Sequence, residues 1–119
     1  MYVPSAVDSE AIEAEHGLPS GWSMKNSGVR TRHWIQSETV ADLGSRAAQK
    51  ALDDAGAALK DIDVLITAGG TSDQHIPSQA ALTLARMEGG DRAKCQAFHV
   101  DTTCLSFITA FRLAADMLQ

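Results

Sequence analysis

Between Thr39 and Ala55 the apolar residues Val40, Leu43, Ala47, Ala51 and Leu52 recur at three- and four-residue steps, the spacing that lines one face of a helix. Thr39 with Asp42 three residues on fits a capping box in its acidic form, and Gly56 supplies a stop, so a helix is predicted over 39–55. Ile62 to Ala68 is short, β-branched and apolar on both faces, which suits a parallel strand ended by Gly69-Gly70. Ser78 after Pro77 can cap a second helix running through Met87 to Gly89-Gly90. Residues 95–101 read as a second strand, and from Cys104 onward the chain is helical but apolar on nearly every side.

The first third is less periodic. Residues 8–16 predict a short surface helix capped by Asp8 and stopped by Gly17. The turn-rich segment after it reads as loop with one helical turn, leading into a basic loop at residues 28–34. Alternating helices and strands give an α/β class with a parallel sheet. A helix apolar all round must be surrounded by protein, and two strands with two other helices hardly surround it. Either the chain oligomerises through that surface, or it is a piece of a larger fold with this helix in the middle.

At 119 residues a single domain is expected, and no internal repeat is visible. Ten Lys plus Arg against 15 Asp plus Glu leave a charge of -5, which excludes broad nucleic-acid binding. The one basic cluster, Arg30, Arg32 and His33, suits a phosphate or one acidic partner. No apolar run is long enough for a membrane span, and no secretory signal opens the chain, so a cytoplasmic location is expected. Cys95 and Cys104 lie along a strand-like segment, too far apart for a disulfide, and no histidine stands at metal-ligand spacing from them, so no metal is expected.

Cys104 stands where the strand passes through Thr102-Thr103 into the apolar helix. Free N–H groups at a helix start favour a thiolate, and a sharp strand-to-helix turn exposes the reactive atom, as in a nucleophile elbow. A small buried apolar residue is the other reading of the same cysteine. Cys95 and the four histidines, His16, His33, His75 and His99, read as structural, which leaves a candidate nucleophile without an evident general base.

Three segments in order carry a family resemblance: Gly28-Val29-Arg30-Thr31-Arg32-His33, Ile76-Pro77-Ser78-Gln79-Ala80, and Asp101-Thr102-Thr103-Cys104-Leu105-Ser106-Phe107. With the helix end at 51–56 and the strand entry at 61–66 between them, the chain resembles 3-oxoacyl-acyl-carrier-protein synthase III, a thiolase-like condensing enzyme, over nearly its whole length. The resemblance implies a partial, N-terminal thiolase-like domain over residues 1–119, with a parallel-rich mixed sheet and a buried helix after the nucleophile. It implies that Cys104 accepts an acyl group from a thioester, usually of coenzyme A, before decarboxylative condensation with malonyl on acyl carrier protein. It implies no cofactor beyond the thioester substrate, and a homodimer paired through the strand before the nucleophile. The family's catalytic His and Asn come from a C-terminal half that this chain does not contain. The family's opening strand also looks clipped, since the Tyr-x-Pro-like turn that ends it, here Tyr2-Val3-Pro4, follows the first residue directly.

The resemblance further points to Trp22, Arg30 and Arg32 as contacts for coenzyme A or a carrier, and to Ile76 as a residue reaching the partner's acyl pocket. Around Trp22 the chain departs from the pattern: Ser20-Gly21 replace an acidic pair, and Asn26 stands in the place of an Arg. Leu105-Ser106 also stand where the family commonly has a small residue followed by Gly. A truncated, non-catalytic paralogue acting as an interaction subunit is the rival expectation; a cysteine hydrolase is a third.

Overall fold

The structure is a computed structural model that describes residues 5–118, so the Tyr2-Val3-Pro4 turn lies outside the described residues. The chain divides into two compact units, residues 5–38 and 39–118 of the described part.

In the first unit, strand β1 (Ser5–Asp8) pairs antiparallel with β2 (Thr31–Trp34), with Val7 opposite Arg32. The basic segment is therefore a strand and not a loop. Four polar-rich residues on each side show no apolar alternation, so only the pairing reveals them. Helices α1 (Ser9–Glu15) and α2 (Trp22–Ser27) fill the connection. Asp8 sits at the cap position of α1 without capping it: its carboxylate accepts from the Thr31 hydroxyl across the strand pair at 3.4 Å. Nor is α1 a plain surface helix, because Ser9 and Glu13 are buried.

The second unit opens with α3 (Val40–Ala55), where the predicted capping box is present. Asp42 N–H donates to Thr39 Oγ1 at 3.1 Å, and Thr39 N–H donates to Asp42 Oδ2 at 2.8 Å. A cap of this kind stabilises a helix by about 1 kcal/mol. Asp73, 33 residues on, satisfies two more N–H groups of the same helix end, those of Val40 and Ala41, at 2.8 and 2.9 Å. Gln79 in turn accepts from Asp73 N–H at 2.8 Å, tying the loop after the first parallel strand to the start of α3.

Strands β3 (Val64–Ala68) and β4 (Gln96–Val100) form a parallel pair with Val64 opposite Gln96 and Ala68 opposite Val100. β3 begins two residues later than predicted because Leu59–Asp61 form a 3-10 turn that Ile62 closes. Helix α4 (Gln79–Ala85) is capped by Ser78 as expected but ends before Met87. There Arg86 and Met87 N–H bond to the carbonyls three residues back, and a Cβ at Gly90 would collide with the Leu84 carbonyl, so the turn requires glycine. The packing of α3 on α4 is tightest at Gly44 and Thr83, with Ala41 and Ala80 fully buried beside them.

Helix α5 (Ser106–Met117) contacts β3 and β4 on one side. Only Ser106 and Ala110 of it are buried, while Phe107 and Phe111 are 70% and 67% exposed. The all-round apolarity read from the sequence is thus left without cover on most of the helix, for the physical reason anticipated: two strands cover one face.

Candidate active site

β4 ends at Val100, and six residues later α5 begins. The chain makes this change of direction with Thr103 at φ 53°, the one non-glycine residue at positive φ among the described residues. For a β-branched side chain this is a strained conformation, costing about 1–3 kcal/mol where neighbours impose it. Thr103–Leu105 form a single 3-10 turn, so Cys104 does not lie on the α-helix itself, which starts two residues after it. A residue at positive φ cannot continue into the helix, and Leu105 N–H closes back on the Thr102 carbonyl at 3.2 Å. Cys104 is an exposed free thiol at the tip of this turn, and Cys95, also free, is half-buried ahead of β4.

Side chains hold the elbow on both sides. Asp101 Oδ1 accepts from Thr103 N–H at 2.9 Å. The buried Ser106 hydroxyl donates to the Thr103 carbonyl at 2.7 Å and accepts from Thr102 N–H at 2.9 Å. The Thr102 and Thr109 hydroxyls meet at 3.0 Å. Beside the elbow, a groove of about 710 Å³ is lined by Gly70, Asp73, His75, Ser78, His99 and Asp101 among others, at the C-terminal ends of the parallel strands. That edge is where open α/β sheets place their sites.

His99 is structurally satisfied. Its Nε2–H donates to the Gly69 carbonyl at 2.9 Å, and in the neutral ring Nδ1 accepts from the Thr67 hydroxyl at 2.9 Å. Both nitrogens are thereby used, and His99 is not a base for Cys104. Among the described residues no cluster of His, Cys, Asp and Glu could hold a metal ion, and no helix is long and apolar enough to cross a membrane. Ile76, before a cis Pro77, is 88% exposed.

The other predicted contact residues belong to the first unit. Trp22 opens α2 and is 45% exposed. Arg30 is exposed, while Arg32 is half-buried, with Nη1 donating to Ser9 Oγ at 2.7 Å. That hydroxyl itself donates to the Val29 carbonyl at 2.7 Å. Sequence reading missed Glu13, whose carboxylate accepts from Gly21 N–H at 2.8 Å and Ser23 N–H at 2.7 Å on either side of Trp22. The Ser23 N–H above all, with Gly21 N–H and the Arg32 charge, holds the Glu13 carboxyl below its usual range against the opposing effect of burial. A signal existed: a helix opening at Gly21, which has no side chain to cap it, needs an acceptor from elsewhere.

Comparison with known proteins defines the class first. The fold superimposes on an OleA of Xanthomonas campestris with a TM-score of 0.80 at 28% identity, over 98% of this chain and 37% of that one. A second structure of the same protein, at 26% identity and TM-score 0.80 over 98% of this chain and 36% of its own, was solved with bound lauric acid and lauroyl-CoA. The chain is therefore an N-terminal part of a thiolase-like condensing-enzyme fold. Within that class it is a homologue of β-ketoacyl-[acyl-carrier-protein] synthase III, as its motifs predict: it is 34% identical to that enzyme of Cereibacter sphaeroides over 120 residues, 99% of this chain. The chain spans about 36% of the length of the curated relatives it matches. No family model matches it.

Proposed function

We propose that this chain carries the acyl-accepting half-site of a condensing enzyme, with Cys104 as its nucleophile. The observation that carries the reading is the exposed thiol at the tip of a strained strand-to-helix turn, in a chain homologous to synthase III. In the first step Cys104 Sγ attacks the carbonyl carbon of an acyl thioester. The acyl–sulfur bond of the donor breaks, and the donor leaves as a thiol with the proton that Cys104 gave up. In the second step malonyl on acyl carrier protein loses carbon dioxide, and the resulting carbanion attacks the Cys104-bound acyl carbon and releases the thiolate. Thioester and carboxylate supply the activation, so the sequence needs no cofactor. The His and Asn that the family resemblance implies for polarising the thioester lie in the part of the relatives that this chain does not span, and the second step is assigned to them.

Acyl-CoA is the favoured donor class, because a structural neighbour was solved with lauroyl-CoA. Trp22 and Arg30, both exposed, are the contacts this reading assigns to the donor; Arg32 joins them with the N–H groups that Ser9 leaves free. Ile76, exposed on the second unit, is assigned to the acyl pocket of a partner protomer in a homodimer. The test is intact mass after incubation with lauroyl-CoA. One lauroyl adduct on the wild-type protein and none on Cys104→Ala is the expected result; an equal adduct on the variant refutes it. A second reading, a non-catalytic interaction subunit of a condensing enzyme, draws on the exposed apolar side of α5. It predicts no adduct and a stable complex with a full-length enzyme.

A further inference from the structure

We infer that Ser106 is a positioning residue that holds the Cys104 elbow in its strained conformation; this rests on the nucleophile reading above. A β-branched residue at positive φ relaxes unless its surroundings fix both its peptide groups. Ser106 fixes the carbonyl-side peptide of Thr103, and the N–H of the residue before it, with one buried oxygen. Its hydroxyl hydrogen goes to the Thr103 carbonyl and its lone pair takes Thr102 N–H, so a single side chain grips the peptides on both sides of the Thr102–Thr103 link. Asp101 takes the Thr103 N–H from the other direction. Together they engage three polar groups of residues 102 and 103, and none of those contacts involves the thiol.

The position matters because glycine is the expected residue there. A glycine at 106 has no hydroxyl, so an elbow built with it depends on other contacts. Here the neighbouring Leu105 is large and 64% exposed, and it gives the turn no buried anchor. Ser106 is 2% exposed and lies at the start of α5, so its backbone is fixed by the helix while its side chain reaches back to the turn. This couples the orientation of the thiol to the rigid helix and not to the exposed loop.

The consequence is kinetic. Freed from the clamp, Thr103 spends time in relaxed conformations in which Sγ points away from the bound thioester, which lowers the rate of acyl transfer at saturation without weakening donor binding. Removing the hydroxyl also leaves Thr102 N–H without its acceptor.

The experiment uses Ser106→Ala and Ser106→Gly in the intact protein, with lauroyl-CoA as the probe. Two quantities are read: the saturating rate of adduct formation with its half-saturating concentration, and hydrogen exchange at the Thr102 amide. Both variants should load about tenfold more slowly, the size that one lost net hydrogen bond allows, at a half-saturating concentration within about twofold of wild type. Exchange at Thr102 should accelerate by about the same factor. Unchanged loading rates overturn the inference, whether or not exchange changes, and so does a loss expressed only in half-saturation. Failure of the wild-type protein to load refutes the nucleophile reading instead, and the exchange measurement then still decides whether Ser106 holds the turn.

Discussion

Gly44 offers a prediction whose sign depends on a few tenths of an ångström. It lies inside α3 where Thr83 of α4 crosses. A Cβ at position 44 would stand 3.1 Å from Thr83 Oγ1 and 3.3 Å from Cγ2, both shorter than the 3.4 Å at which ordinary contact begins. Two effects of Gly44→Ala therefore oppose each other. Alanine is favoured over glycine in a helix interior by about 1 kcal/mol. An added methyl in a packed interface costs about 1–3 kcal/mol when its neighbours cannot retreat. Thr83 is 2% exposed, and Ala41 and Ala80 beside it are fully buried, so a shift of Thr83 disturbs packed neighbours and the steric effect is expected to win. Gly44→Ala should lower stability by roughly 1 kcal/mol. In a Thr83→Ala background the opposing atoms are gone, and the same substitution should raise stability by about 1 kcal/mol, a coupling near 2 kcal/mol. Equilibrium urea unfolding of the four proteins measures this, with unchanged m-values as the check that only stability moved. A stabilising Gly44→Ala in the Thr83 background would refute the close crossing of α3 and α4.

Further expectations follow from the charged and apolar surfaces. Glu13, Asp42 and Asp73 are all held below their ordinary values, 4.5 for Glu13 and 3.8 for the two Asp residues. In Asp73 burial pushes upward, and the N–H groups of Ala41 and Val40 outweigh it. Because the folded values are the lower ones, their stabilising contribution is complete above about pH 5 and is lost as pH falls through them. Glu13→Gln should flatten the part of that decline beginning near 4.5, as read by unfolding midpoints from pH 3 to 7; an unaltered profile would contradict the assigned contacts. Replacing Phe107 and Phe111 together by Ser should reduce self-association of the 119-residue chain, followed by light scattering against concentration, since both rings are more than half exposed. Arg32→Ala should loosen the junction of β1 and α1 through Ser9, giving faster hydrogen exchange at Ser9 N–H, whereas Arg30→Ala should leave that amide unchanged.

What could be read from the sequence divides by the range of the interactions. The α3 cap was legible because Thr39 and Asp42 are three residues apart and act on each other. β3 was legible because Val64-Leu65-Ile66 is a short apolar run ended by Gly69-Gly70, and the elbow because Cys104 falls between the strand-like segment 95–101 and an apolar helical one. Glu13 and Asp73 were not, since each carboxylate serves backbone N–H groups 8 to 33 residues away that no side-chain pattern marks. The β1–β2 pair was hidden for the same reason: its strands are four residues long, and their pairing partners lie more than 20 positions apart. Thr103 shows the remaining gap, because positive φ at a β-branched residue contradicts local preference and is imposed by Asp101 and Ser106.

The most direct test of the nucleophile assignment is to locate the acyl group by peptide mapping after brief exposure of the protein to lauroyl-CoA, with the half-buried Cys95 as internal reference. The account predicts the adduct on the peptide containing Cys104 and none on Cys95. Acylation of Cys95, of both cysteines equally, or of neither would contradict it.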